Sequence, residues 1–284
     1  MFTMDNTFSQ VISDFFAFAF MQRALMAAVL IGILCSVIGV FVVVKGFSFI
    51  GAGIAHASFA GVTLGFLLGI HPLFLALLFS LLMVFFVGWA THRGELKLDI
   101  SVGIFFAFTM ALAILFIGLM KQYQAGVYGY LFGDILSVTP SDLWLITGIS
   151  VFVLTVVGLL YKELQFITFD QEMAEASGLP VTFLYYMLLV LIAMTVVVSL
   201  KAVGVILVFA LIVTPAAAAY QLVHRLTPMI FISAAIGTGG SIVGLILSYI
   251  WDVPSGATIV SLLTLIFFIS LWLSPKRRHC RCQE

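Results

Sequence analysis

Polar residues break this chain at regular intervals, and almost everything between the breaks is apolar. The apolar stretches fall near 24–44, 53–70, 73–91, 101–120, 141–161, 182–200, 203–222, 229–250 and 256–274. Crossing the hydrocarbon of a bilayer as a helix takes about twenty such residues, because lipid offers no partner for an unpaired backbone polar group. The pattern therefore predicts an all-α, polytopic membrane protein with eight or nine spans. The lower count applies if one helix runs through the weak break at 201–204. The stretch 8–23 reads as an interfacial lead-in, since Arg23 is costly deeper in the bilayer. Residues 1–22 carry Asp5 and Asp14 but no Lys or Arg. The cationic start of a cleavable signal is thus missing, and the first apolar stretch is expected to stay as a span.

The charges that remain set an orientation. Lys45, Arg93, Lys97, Lys162, Arg225 and the basic tail 275–284 fall in alternate connections, with Lys121 and Lys201 on the opposite side. Basic residues concentrate on the cytoplasmic side, so the C-terminus is expected in the cytoplasm of a plasma (inner) membrane protein, with the acidic N-terminus outside. At 63% hydrophobic and 8% charged, the chain has too little polar surface for a water-soluble globule. Twelve basic residues balance twelve acidic ones, which leaves no field to hold nucleic acid. Cys35, Cys280 and Cys282 make no disulfide framework. The whole chain, 1–284, reads as one transmembrane domain with two longer connections. An outer segment, 121–140, is rich in interfacial aromatics. An inner one, 161–180, holds Glu163, Asp170, Glu172 and Glu175, with Asp170 placed to start a short helix and Gly178 to stop it.

Within the second apolar stretch, Gly53, Ala57, Gly61, Gly65 and Gly69 recur every four residues as a stripe of small side chains. Such a stripe lets a neighbouring helix approach backbone to backbone. Beside it, in "GAGIAHASFAG" (51–61), stands His56. Thr63 falls on nearly the same face, with Ala52 and Ala60, so a narrow polar strip is expected in mid-membrane, as the lining of a wet path would be. A neutral imidazole ligates zinc and other borderline metals. The alternative is a ring satisfied by backbone carbonyls between helices. One histidine is too few for a metal site, and Ala60 occupies the position one turn on. Further ligands would come from loop ends, water or a second copy of the chain.

Four blocks, "GFSFIGAGIAHASFAGVTLGFLLG" (46–69), "GYLFGDILSVTPSDL" (129–143), "AVGVILVFALIVTPAAAAYQL" (202–222) and "DVPSGATIV" (252–260), resemble the permease subunit of zinc and manganese ABC importers, in order over nearly the whole chain. The resemblance implies a transmembrane unit that works as a pair, here a homodimer, with a cytoplasmic ATP-binding subunit and an extracytoplasmic metal-binding protein. This chain has no GxxxxGK[ST] loop for phosphate, so it is expected to be a transport subunit rather than an enzyme, with no bound cofactor of its own. In many members an aspartate stands four residues before the histidine; here that position is Ala52. His56 carries over and the carboxylate does not. An imidazole without a hard oxygen ligand favours a borderline ion, so zinc is the expected cargo, with manganese or iron next. Asp134 in "YLFGD" is either a helix cap or an acidic group near the outer mouth. Asp252 reads as a cap or turn residue. The connection 161–180 matches the family's coupling segment, which would bring Asp170, Glu172, Glu175 and Gly178 against the ATPase. Pro215, beside Thr214, is expected to break its helix.

The rival readings are a chelate- or cobalamin-type permease, alike in plan, and a secondary cation carrier, which would need ionisable pairs within its spans. A membrane-embedded enzyme lacks its motifs here. His279, Cys280 and Cys282 are a weak metal or lipidation signal beside a basic flank. His71 and His224 read as helix-end and loop residues.

Overall fold

The computed structural model describes residues 18–47, 49–94, 98–120 and 125–274. Among them the chain forms α1 (Ala19–Val44), α2 (Ile50–Leu68), α3 (Pro72–Gly94), α4 (Leu98–Leu119), α5 (Ala125–Phe132), α6 (Pro140–Leu159), α7 (Tyr161–Phe169), α8 (Gln171–Ala176), α9 (Val181–Val203), α10 (Val205–Leu222), α11 (Leu226–Trp251) and α12 (Ser255–Leu273). A 3-10 turn, Ile135–Ser137, follows α5. Nine of these helices, α1 to α4, α6 and α9 to α12, are long and apolar enough to cross a membrane.

A helix that is apolar all round must be buried or face lipid. α1, α2 and α9 take the first course and form the axis of the molecule, while α4, α6 and α12 turn most of their surface outward. Helices in lipid gain little from the hydrophobic effect on meeting, so close approach of small residues and hydrogen bonds hold them together. The crossing of α1 and α11 works this way. The Ser233 hydroxyl donates to the Ser36 carbonyl at 3.0 Å, and a Cβ added at Gly32 would lie 3.1 Å from the Gly237 carbonyl oxygen. The stripe on α2 packs similarly. Gly61 lies against the Leu75 backbone, Gly65 against Pro72, and Gly53 against Met83 and Val102; Ala57 is buried. Gly69 departs from the stripe. It ends α2 in the left-handed conformation, φ +71°, and the Ile70 N–H bonds back to the Gly65 carbonyl at 3.0 Å.

Long-range contacts sort the helix ends onto two faces. The Lys45 ammonium donates to the Ile167 carbonyl at 2.8 Å, Tyr161 and Thr227 share a hydroxyl hydrogen bond of 2.8 Å, and the Ser274 hydroxyl donates to the Gln221 carbonyl at 3.0 Å. On the opposite face the Phe66 and Tyr130 rings meet, and Lys201 pairs with Asp142. α2, α6 and α9 thus run from one face to the other, in line with the alternation of basic connections.

Three expectations along the chain differ from the structure, and one weak break is borne out. α1 begins at Ala19 and takes in Arg23, whose guanidinium turns back to the Ala19 carbonyl at 3.2 Å near the helix start. The weak break at 201–204 does separate α9 from α10, because Gly204 sits at φ +88° and its backbone touches that of Gly133. The stretch ending near 161 stops at Leu159, and a separate α7 follows. Pro215 does not break α10: the helix runs through it, and α1 at Gly39 presses on the Ile212 carbonyl, so protein rather than lipid covers this turn. The lead-in 8–17, Lys97, Lys121 and the tail with His279, Cys280 and Cys282 lie outside the described residues, as does the side chain of Arg93.

Candidate functional site

His56 lies six residues into α2, about 9 Å along its axis from Ile50. The hydroxyls around it are satisfied within the helix: Ser58 donates to the Ile54 carbonyl at 2.7 Å and Thr63 to the Ala60 carbonyl at 2.9 Å. The ring stands edge-on to Phe106 of α4, with centroids 4.5 Å apart, and its Nδ1 is buried with no hydrogen-bond partner among the described residues. A buried nitrogen without a partner is costly and is suited to a ligand that arrives and leaves. Ala52 and His56 are both partly open, one turn apart, and Phe49 is exposed on the same side, stacked on Phe209 of α10. Further along, the face closes. Ala60 and Thr63 are fully buried, so the polar strip expected from His56 to Thr63 is reduced in this chain to His56. Phe106 could not be tied to His56 from the sequence, because the pairing joins two spans with no shared motif.

On the Lys201 face, Asp134 is exposed and caps the 3-10 turn by accepting from the Leu136 N–H at 3.1 Å. Among the described residues no three His, Cys, Asp or Glu side chains come together as a metal group, so His56 and Asp134 do not share one. The stronger ionic feature here is an ion pair that no local pattern announces. Asp142 closes a capping box with Thr139 at the start of α6 and pairs with Lys201 of α9. The box was legible in "TPSD"; its cation was not. Burial, then the Asp142 charge, pushes the neighbouring Tyr130 phenol above its ordinary range. Asp252 ends α11 at φ 53°, a turn residue.

The Lys45 face carries the segment 161–180. Asp170 caps α8, accepting from the Met173 N–H at 2.9 Å. Gly178, φ +83°, stops it: its own N–H reaches the Glu175 carbonyl at 2.9 Å and the Leu179 N–H reaches that of Ala174 at 3.1 Å. Glu172 and Glu175 are exposed. So are Phe169 at 59% and Met173 at 58%, an apolar ridge on the outside of a polar connection. The acids, the cap and the glycine stop are legible in the residue order; the exposure of these two side chains is not. Apolar side chains exposed beside charges are where a protein partner or the membrane surface is met.

The manganese transport system membrane protein MntC of Halalkalibacterium halodurans is 36% identical over 270 residues, 95% of this chain and 91% of that protein. The manganese import system permease protein ScaB of Streptococcus gordonii is 36% identical over 278 residues, 98% of this chain and 99% of that protein. Among solved structures, PsaBC from Streptococcus pneumoniae in complex with Fab aligns with a TM-score of 0.88 at 33% identity, over 98% of this chain and 100% of that one. Residues 17–274 match the ABC 3 transport family. With relatives of this similarity along nearly its full length, the chain belongs to the ABC 3 transport family.

Proposed function

We propose that this chain is the membrane permease of an ATP-driven importer of a divalent transition-metal ion, with manganese as its principal cargo and His56 as a transient ligand on the path. The observation that carries the reading is the unpartnered Nδ1 of His56 on the open side of α2. Relatives named for manganese transport support that ion over the zinc favoured by the missing carboxylate at Ala52. A single imidazole holds either ion weakly, which suits a conduit that must release what it binds. Two copies of the chain as a homodimer would bring two such rings together. The Lys45 face is assigned to the cytoplasm by its basic residues, which sets α8 toward an ATP-binding subunit and Asp134 toward an extracytoplasmic metal-binding protein.

The test is uptake of radioactive manganese and, separately, zinc into vesicles holding the chain with its ATPase and delivery protein. Wild type is compared with His56→Ala and His56→Gln at equal protein. Uptake is expected to need ATP, to favour manganese, and to fall sharply in both variants. Gradient-driven uptake by the chain alone would overturn the ATP-driven reading, and normal rates in both variants would remove His56 from the path.

A further inference from the structure

The cytoplasmic end of α1 is built more rigidly than a loop between two spans requires. Gly46, at φ +74°, donates from its N–H to the Val43 carbonyl at 3.2 Å, and the Phe47 N–H reaches the Val42 carbonyl at 2.9 Å. This paired closure of a helix end leaves little slack. The Ile50 N–H then bonds to the Phe47 carbonyl at 3.1 Å, so α2 starts directly from the closed turn. His56 is six residues further on.

Lys45, the capping residue of α1, reaches out of this turn. Its ammonium donates to the Ile167 carbonyl at 2.8 Å. Ile167 lies in the last turn of α7, where carbonyls have no acceptor role within their own helix and the helix dipole presents negative charge. The same ammonium lies 5.6 Å from the Phe47 ring centroid and 6.0 Å from that of Tyr185, and the two rings meet edge-on at 5.9 Å. Tyr185 is in the first turns of α9. Lys45 therefore meets the chain on both sides of α8, hydrogen-bonded at Ile167 in the helix before it and beside the Tyr185 ring in the helix after it. Among the described residues it has no carboxylate within ion-pair distance. Burial pushes its ammonium below the ordinary lysine range. A half-buried cation held by a carbonyl and two ring faces is not a solvated surface charge.

We infer that Lys45 is the positioning residue that transmits movement of α8 to the α1–α2 turn, and so to the helix that carries His56. This rests on the docking role given to 161–180 under the proposed function. When the ATPase shifts α8, both flanking legs move with it, and Lys45 is hydrogen-bonded to one and lies beside the Tyr185 ring of the other. The closed turn passes that displacement to the start of α2 rather than absorbing it.

The experiment uses the complete complex in vesicles and compares wild type with Lys45→Met, which keeps the apolar stem, and Lys45→Arg, which restores a charged donor. The readouts are the amount of assembled complex, ATP hydrolysed and manganese ions moved per ATP. Lys45→Met is expected to assemble but to move about tenfold fewer ions per ATP, the scale of one lost charge-assisted hydrogen bond, with Lys45→Arg recovering most of the loss. A merely structural lysine would lower the amount of complex and leave the ratio unchanged. An unchanged ratio in Lys45→Met, or an equal loss in Lys45→Arg, overturns the inference. If Lys45→Met does not assemble, Lys45→Gln decides by the same ratio. Failure of the functional reading shows separately, as a wild-type complex without ATP-driven uptake, and takes this inference with it.

Discussion

The ammonium of Lys201 lies 2.5 Å from the carboxylate of Asp142, and that carboxylate also receives the Thr139 backbone N–H at 2.9 Å. One side chain thus starts α6 and ties it to the end of α9. Both partners are partly open to solvent, so the ion pair is discounted to about 0.5–1 kcal/mol. Lys201→Met is expected to cost that much. Asp142→Ala should cost about 1–2 kcal/mol, since it also removes the capping box. Thermal unfolding of the two single variants and the double variant in detergent checks this, and strictly additive costs would show that the pair contributes nothing.

Gly61 touches the Leu75 backbone directly, and a Cβ there would overlap its carbonyl. Gly61→Val is expected to push α2 from α3 and destabilise the fold by about 1–3 kcal/mol, the usual cost of overpacking. Gly103, on α4, has open space at the same position, and Gly103→Ala should stay within about 1 kcal/mol of wild type. Equal melting of all three proteins would mean that the stripe is not a packing face.

Ala52 stands one turn before His56 on the same open side. Ala52→Asp would add a hard oxygen beside the imidazole, so manganese should bind to the purified complex more tightly, by about tenfold. Release should slow correspondingly and uptake turnover should fall. Equilibrium binding and initial uptake rates measured together decide this. Unchanged affinity would place the two side chains off a common path.

Phe169, at the end of α7, and Met173, between the acids of α8, are exposed on the face assigned to the cytoplasm. Replacing both with Ser is expected to weaken co-purification of the ATPase by about tenfold or more, because buried apolar anchors dominate such contacts. Glu172→Lys with Glu175→Lys should have the smaller effect if the acids form only the rim. Full retention of the ATPase by the Ser variant would assign these side chains to the membrane surface instead.

The spans, their alternation between two faces and the caps of the short helix α8 were all legible in the residue order. Each depends on interactions within a few positions: apolar length for the spans, Asp170 bonding three residues on, Gly178 supplying a positive φ. The small stripe on α2 was legible as well, apart from Gly69, since an αL stop and a packing glycine look the same in a list of residues. Pro215 misled because the chain order does not say what covers a helix, and here Gly39 brings α1 onto that turn.

The candidate site was legible only as a residue, His56, and not as an environment. Periodicity put Thr63 beside it, but whether a helical face opens or closes depends on the neighbours that pack there, and α2 is sealed at Ala60 and Thr63 while it opens at Ala52 and His56. The sequence by itself determined that this is a membrane chain of eight or nine spans with one imidazole inside the second and a capped polar connection, because those features follow from local length, charge and helix-end chemistry. Only the tertiary structure decided that Phe106 meets His56, that Asp142 finds Lys201 59 residues away, and that Lys45 grips Ile167 across 122 residues. Such pairs join distant stretches whose meeting depends on how the helices pack as a whole, so no local pattern encodes them.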